Sequence, residues 1–137
     1  MKTLHLPLIK KWFDMIQSGE KMEEYREIKA YWASRLLLHK GERKCLDWWK
    51  GFLHLKGYDV LKNHLDDISF VKFDSIKFVN GYGSHLPNFF IEVKQLKIST
   101  GLNEWGAEDG KYYFTFVLGE KIDSRWFITD PLAGYDN

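Results

Sequence analysis

A change in hydrophobic period along the chain is the feature that most limits its possible folds. Near the N-terminus the apolar residues recur at helical spacing, as Leu8, Ile9, Trp12, Phe13 and Ile16. Later they alternate or form short runs typical of strands, over residues 70–79, 89–99 and 111–119. Helices followed by antiparallel strands predict an α+β fold, and we expect its sheet to curl towards a small β-barrel flanked by the helices.

The remaining elements follow from local signals. The sequence predicts, in chain order, a strand at 2–6, a helix at 7–18, a strand within 21–27, a helix at about 28–37 and two short helices within about 39–68. Pro7 suits the first position of the helix at 7–18, and Gly19 suits the residue just after its end. Trp126 and Phe127, in the C-terminal tail, are expected to pack back on the folded body.

The composition suits one folded domain over residues 1–137. The chain has 137 residues, of which 45% are hydrophobic and 28% charged, so it can bury a core. Its apolar runs are far shorter than the roughly 18 residues of a membrane-spanning helix, and no membrane partner is expected. Its N-terminus lacks the apolar segment of an export signal, and its single cysteine, Cys45, cannot form an internal disulfide. These features predict a cytoplasmic protein.

The overall charge gives no signal for nucleic acid, because 20 Lys and Arg residues face 19 Asp and Glu residues. Residues 1–40 carry eight basic and five acidic side chains, a net charge of +3, whereas residues 81–120 carry three and five, a net charge of −2. A nucleic-acid role must therefore depend on a small site rather than on a broad basic surface. The five histidines show no metal-ligand spacing, and we expect neither a metal nor a cofactor.

The densest group of candidate functional residues is Lys21, Glu24 and Arg26, directly after Gly19. On a strand, Glu24 and Arg26 share one face, and Lys21 joins them only if the chain is still turning after Gly19. A carboxylate between two cations can accept a hydrogen bond from a ligand or water, and the cations can hold a phosphate or a developing oxyanion. The alternative is an exposed strand with solvated charges. If the three residues instead surround a cleft, we expect their substitution to cost little stability, because charges at the surface of a cleft contribute little to folding.

These residues also carry a resemblance to a known family. Gly19-x-Lys21-x-x-Glu24-x-Arg26 is similar to the signature of ASCH domains, which belong to the PUA-like superfamily. Further segments resemble elements of one bacterial and phage-associated branch, in the family's order: Tyr31-Trp32 with Arg35-Leu36, Asn80-Gly81-Tyr82-Gly83 with Pro87, Glu104-Trp105-Gly106, and Tyr113-Phe114 with Leu118-Gly119. Residues of about 39–68 have no counterpart in the family, and we interpret them as a helical insertion.

The resemblance implies a PUA-like β-barrel that binds RNA or a nucleotide-like ligand in a cleft lined by the signature. Some members of the family are amidohydrolases that remove the acyl group from acetylated cytidine, and nuclease activity is attributed to others. In a hydrolase of this kind, Lys21 and Glu24 would be the catalytic residues. This chain departs from the amidohydrolases because Glu24 and Met22 stand where they have threonines. A hydroxyl nucleophile is therefore missing, although a Glu can activate water.

Three further residues are candidates for ligand binding. Asn80 and Tyr82 lie in a glycine-rich turn whose N–H groups could bind an anion and whose tyrosine could stack on a base; a plain strand connection is the alternative. Trp105 is either a stacking platform or a plug at the end of the barrel.

Trp12 and Trp32, on apolar helix faces, are predicted core residues. In the insertion, Trp48 and Trp49 cannot both face inward, so the insertion is a candidate surface for a protein partner.

Overall fold

The computed structural model describes residues 2–83 and 85–123, and the expected packing of Trp126 and Phe127 lies outside these residues. The fold is mixed α+β, as predicted, with a curled five-stranded half-barrel sheet and several helices. The strands are β1 (Thr3–Leu8), β2 (Glu23–Glu27), β3 (Leu37–His39), β4 (Ile68–Phe70), β5 (Ser75–Asn80), β6 (Asn88–Thr100) and β7 (Tyr112–Ile122). The helices are α1 (Lys10–Gln17), α2 (Ala30–Leu36), α3 (Leu46–Leu53) and α4 (Tyr58–Leu61), with short 3-10 turns at Leu65–Asp67 and Asn103–Trp105.

The five-stranded sheet has the order β1-β5-β6-β7-β2, and β3 and β4 form a separate two-stranded sheet. Strand β5 is antiparallel to β6, with Phe78 opposite Phe89, but it is parallel to β1, with Leu6 opposite Phe78. A parallel pair needs a long crossover connection, and the chain between β1 and β5 supplies one that contains four helices. The antiparallel arrangement expected from the sequence is therefore incomplete.

Two predicted boundaries are wrong. The helix predicted at 7–18 begins only at Lys10, because the alternating burial of Leu4, Leu6 and Leu8 continues the first strand through Pro7. The single strand predicted over 70–79 is two strands, β4 and β5, that belong to different sheets. Residues 71–74 belong to no strand and separate the two, and β5 buries residues of both phases: Ser75, Ile76, Phe78 and Val79.

The chain divides into two compact units. Unit 1 contains residues 2–24, 72–83, 85–96 and 116–123 of the described chain. Its core combines helix and strand residues, since Ile16 of α1, Phe78 of β5 and Phe116 of β7 are almost completely buried. The ring of Phe13 packs edge-on against Phe89, with 5.0 Å between ring centroids. Helix α1 contacts both β1 and β5, and this packing fixes the position of its C-terminal end.

Unit 2 contains Tyr25–Val71 and Lys97–Thr115. Residues 39–68 form two short helices, as predicted, and α3 packs against α2 and α4. Trp49 of α3 is completely buried, as are Leu36 of α2 and Leu61 of α4, whereas Trp48 is half-buried. The prediction that the two adjacent tryptophans cannot both face inward is therefore confirmed. The helices of the predicted insertion supply core residues of this unit.

Candidate functional site

Lys21 is positioned by the turn that ends α1. Gly19 follows the helix with a φ of 87°, a left-handed conformation that favours glycine, and its N–H donates to the Ile16 carbonyl at 3.1 Å. The chain then folds back so far that the Lys21 N–H donates to the Met15 carbonyl at 2.9 Å. The chain is therefore still turning after Gly19, which is the condition that the sequence set for Lys21 to approach Glu24.

The turn brings Lys21 and Glu24 into a buried ion pair. The Lys21 Nζ atom lies 3.0 Å from the Glu24 Oε1 atom, and the two side chains are only 2% and 6% exposed. The alternative of solvated charges on an exposed strand is therefore wrong for these two residues. Removing either partner would leave the other charge buried, which typically costs about 3–5 kcal/mol. The expectation that substitutions here cost little stability assumed charges at the surface of a cleft, and these two side chains are buried instead.

The Trp12 ring lies against the Lys21 ammonium group of this ion pair. Its ring centroid lies 4.2 Å from the Lys21 Nζ atom and 4.6 Å from the Lys11 Nζ atom, both within the range of cation–π attraction. The Trp12 side chain is half-buried, so the prediction that it is a core residue is wrong. Helix α1 uses Phe13 and Ile16 for its buried stripe, and Trp12 lies at the edge of that stripe. Trp12, Lys21 and Glu24 are called the unit 1 cluster below.

The unit 1 cluster can offer three kinds of contact to a ligand. The Lys21 ammonium can donate hydrogen bonds to a phosphate or a carbonyl oxygen. The Glu24 carboxylate can accept from an N–H or O–H group, and the Trp12 ring can stack on a base. Sequence reasoning named Lys21 and Glu24 but assigned Trp12 to the core. The signal that could have found Trp12 is weak, because helical spacing does not distinguish the centre of an apolar stripe from its edge.

Arg26 belongs to unit 2, where it pairs with another tryptophan. The central carbon of its guanidinium group lies 5.1 Å from the ring centroid of Trp32, which is half-buried rather than a core residue as predicted. In the same helix, α2, the Arg35 guanidinium lies 5.5 Å from the Tyr31 ring, and Leu36 is completely buried. Both aromatic residues of the Tyr31-Trp32 motif therefore contact an arginine.

The glycine-rich turn that follows β5 uses part of its backbone for folding. The Asn80 N–H donates to the Pro87 carbonyl and the Gly81 N–H to the Leu8 carbonyl, each at 2.9 Å. These two amides are thus already satisfied and do not contribute to the anion-binding nest considered for this turn. The Asn80 side chain and the Tyr82 ring, which is 90% exposed, remain the ligand-binding candidates of the turn.

Trp105 lies in a 3-10 turn of unit 2 and is half-buried. Two tyrosine hydroxyl groups accept hydrogen bonds from the backbone of the loop around it. The Leu102 N–H donates to the Tyr25 hydroxyl, and the Glu108 N–H donates to the Tyr113 hydroxyl, each at 3.0 Å. The intermediate exposure of Trp105 leaves both the platform and the plug as interpretations.

No protein-family model, no curated protein sequence and no solved structure matches this chain. The similarity to ASCH domains therefore depends on its motifs alone. Within residues 2–83 and 85–123, no cluster of three or more His, Cys, Asp or Glu side chains is arranged to hold a metal ion. In the same part of the chain, none of the helices has both the length and the apolar character needed to cross a bilayer.

Proposed function

We propose that the protein binds RNA or a nucleotide-like ligand, and that the unit 1 cluster provides its central contacts. The observation that carries the proposal is the burial of the Lys21–Glu24 ion pair, whose Lys21 ammonium lies against the Trp12 ring. The desolvation of two charges largely cancels their attraction, so a buried pair contributes little net stability. A function for the two charges explains why the chain keeps them in this position.

The ligand chemistry follows from the three side chains. A phosphate or carbonyl oxygen would accept hydrogen bonds from Lys21, and an amino group of a base would donate to Glu24. Because both side chains are nearly enclosed, a ligand reaches the Lys21 ammonium only when the Trp12 side chain moves aside, and the indole ring can then stack on the base of the same ligand. The resemblance to ASCH domains, which are linked to RNA, supports the same class of ligand. It also implies that Arg26 contacts this ligand.

The test compares variants that keep the fold. A single-stranded RNA of about ten nucleotides and cytidine monophosphate are titrated against the wild type and against Lys21→Met/Glu24→Gln, which removes both charges together. We expect the double variant to lose about tenfold or more in affinity, since charge-assisted hydrogen bonds contribute about 1.5–3 kcal/mol each. The matched control is Lys10→Met/Asp14→Asn, which removes the exposed ion pair of α1 in the same unit. Equal affinity of the wild type and the Lys21/Glu24 variant would contradict the proposal.

A second candidate function is hydrolysis of an acylated nucleoside such as acetylated cytidine, and the direct contact between Lys21 and Glu24 favours it. In this reaction the Glu24 carboxylate takes a proton from water, and the water oxygen forms a bond to the acyl carbon. Lys21 stabilises the resulting oxyanion. The C–N bond then breaks, the proton passes to the leaving nitrogen, and acetate and cytidine are released. Water replaces the hydroxyl nucleophile that this chain lacks.

Chromatography of acetylated cytidine incubated with the protein separates the two functions. Release of cytidine by the wild type but not by Glu24→Gln, with the folded state of the variant checked by circular dichroism, would support hydrolysis. Binding of the RNA without any release of cytidine would leave ligand binding as the function.

A further inference from the structure

Unit 2 contains a groove that no sequence motif indicated. Three segments form it: the end of β2, the loop and helix from Leu55 to Lys62, and the start of β7. Its volume is about 530 Å³, within the roughly 300–1,000 Å³ of typical small-molecule sites. Gly57 permits the close approach of two of these segments, because a Cβ atom there would lie 2.4 Å from the Ile28 carbonyl oxygen.

The groove carries a positive charge. Four lysines and two carboxylates line it, a net charge of +2: Lys29, Lys56, Lys62, Lys111, Glu27 and Asp59. Each carboxylate has a lysine partner, since Lys62 lies 3.6 Å from Asp59 and Lys111 lies 3.9 Å from Glu27. Within the part of the chain that the structure describes, Lys29 and Lys56 form no ion pair. Two ammonium groups of the groove are therefore available to an anion.

The groove also has an aromatic wall. The rings of Tyr58 and Tyr112 are stacked, with 4.1 Å between their centroids and 9° between their planes. Tyr112 nevertheless remains 40% exposed, and both residues line the groove. A flat ring of a ligand could extend this stack, in the way that bases stack on aromatic side chains of proteins that bind single strands.

We propose that this groove is a second binding site, independent of the unit 1 cluster, that takes a nucleotide unit. Lys29 and Lys56 hold the phosphate, and the exposed surface of Tyr112 stacks on the base. The combination of unpaired cations with a stacked aromatic wall selects a ligand that is both anionic and flat. A free mononucleotide and one unit of a single strand share this chemistry, and the experiment separates them.

The experiment uses the full chain at about 0.1 M salt with three probes: adenosine, adenosine monophosphate and a labelled oligoadenylate of about ten nucleotides. We expect Lys29→Met/Lys56→Met to weaken binding of the phosphate-bearing probes about tenfold or more. We expect Tyr112→Leu to weaken binding about 5- to 150-fold, whereas Tyr112→Phe, which keeps the ring, should bind as the wild type does. Tight binding of the monophosphate indicates a free nucleotide as ligand, and tight binding of the oligoadenylate alone indicates a strand.

The controls make the proposal refutable. Lys72→Met/Lys94→Met removes two exposed lysines of unit 1 and should leave the affinity unchanged; an equal loss in this variant would show a general charge effect and overturn the site. Binding of adenosine as tight as that of its monophosphate would overturn the role of the lysines, and failure of every probe to bind would overturn the whole proposal. Lys21→Met/Glu24→Gln removes the unit 1 cluster, so the nucleotide binding that remains in this variant must come from the groove, and it should be lost when Lys29→Met/Lys56→Met is added. If no probe binds to Lys21→Met/Glu24→Gln, the groove is refuted and the proposed function stands.

Discussion

The buried ion pair between Lys21 and Glu24 allows a prediction in which single and double substitutions behave oppositely. Lys21→Met alone should destabilise the protein by about 3–5 kcal/mol, because the Glu24 carboxylate, only 6% exposed, loses its ammonium partner. Glu24→Gln alone should cost a comparable amount for the converse reason. The double variant Lys21→Met/Glu24→Gln should lose only about 1–2 kcal/mol, because no charge of the pair remains buried. This loss comes from the cation–π contact of Lys21 with Trp12 and from the amide, which must find hydrogen bonds.

The magnitude follows from the geometry. Two unit charges 3.0 Å apart attract by roughly 5–6 kcal/mol at an effective dielectric constant of about 20. The transfer of each ion out of water costs several kcal/mol, so the attraction and the two desolvation penalties nearly cancel. The intact pair is thus close to neutral for stability, whereas half of the pair is strongly unfavourable. The cation–π contact with Trp12 at 4.2 Å adds about 2 kcal/mol or less to the loss for Lys21→Met.

Urea unfolding at 25 °C and neutral pH, followed by far-ultraviolet circular dichroism, measures these free energies. The matched control is Lys10→Met, which breaks the exposed Lys10–Asp14 pair and should cost less than about 1 kcal/mol. A loss below about 1 kcal/mol for either single variant would show that water or other groups solvate the remaining charge. A double variant that loses the sum of the two single losses would show that the side chains are not coupled. Either result would refute the reasoning.

Three further predictions concern the core, the groove and pH. Trp49→Ala should destabilise the protein by about 3–5 kcal/mol in urea unfolding, because the side chain is completely buried; a loss below about 1 kcal/mol would show that α3 lies outside the cooperative core. Gly57→Ala should lower the thermal midpoint and weaken nucleotide binding in the groove, since its Cβ atom would collide with the Ile28 carbonyl oxygen; an unchanged midpoint would contradict this. Partial desolvation of the His5 ring, which remains exposed, followed by the charge of Lys77, lowers the pKa of His5 below 6.5, so the unfolded chain binds more protons near that pH. The wild type should therefore lose more stability than His5→Gln as the pH falls through 6.5, and parallel pH profiles would exclude the effect.

The elements with a clear period were predictable from the sequence. The amphipathic spacing around Phe13 and Ile16 predicted α1, although the strand before it extends through Pro7. The runs at 89–99 and 111–119 became β6 and β7 with small changes at their ends. These predictions succeed because a helix or strand with one buried face repeats that burial at a fixed interval in the sequence. The break within 70–79 was missed because apolar residues occur there in both phases.

The sequence by itself determined the mixed α+β class, the end of α1 near Gly19 and the choice of Lys21 and Glu24 as candidate site residues, because each is visible in the local order of residues. Whether the chain turns far enough for Lys21 to meet Glu24 was decided by the structure. Tertiary structure alone decided that this pair is buried. Burial depends on the residues that pack around the pair, and a short charged segment does not indicate which residues these are. It also decided that Trp12 covers an ammonium group instead of filling the core. The groove with Lys29 and Tyr112 exists only in the fold, because its three segments are far apart in sequence and each looks ordinary alone.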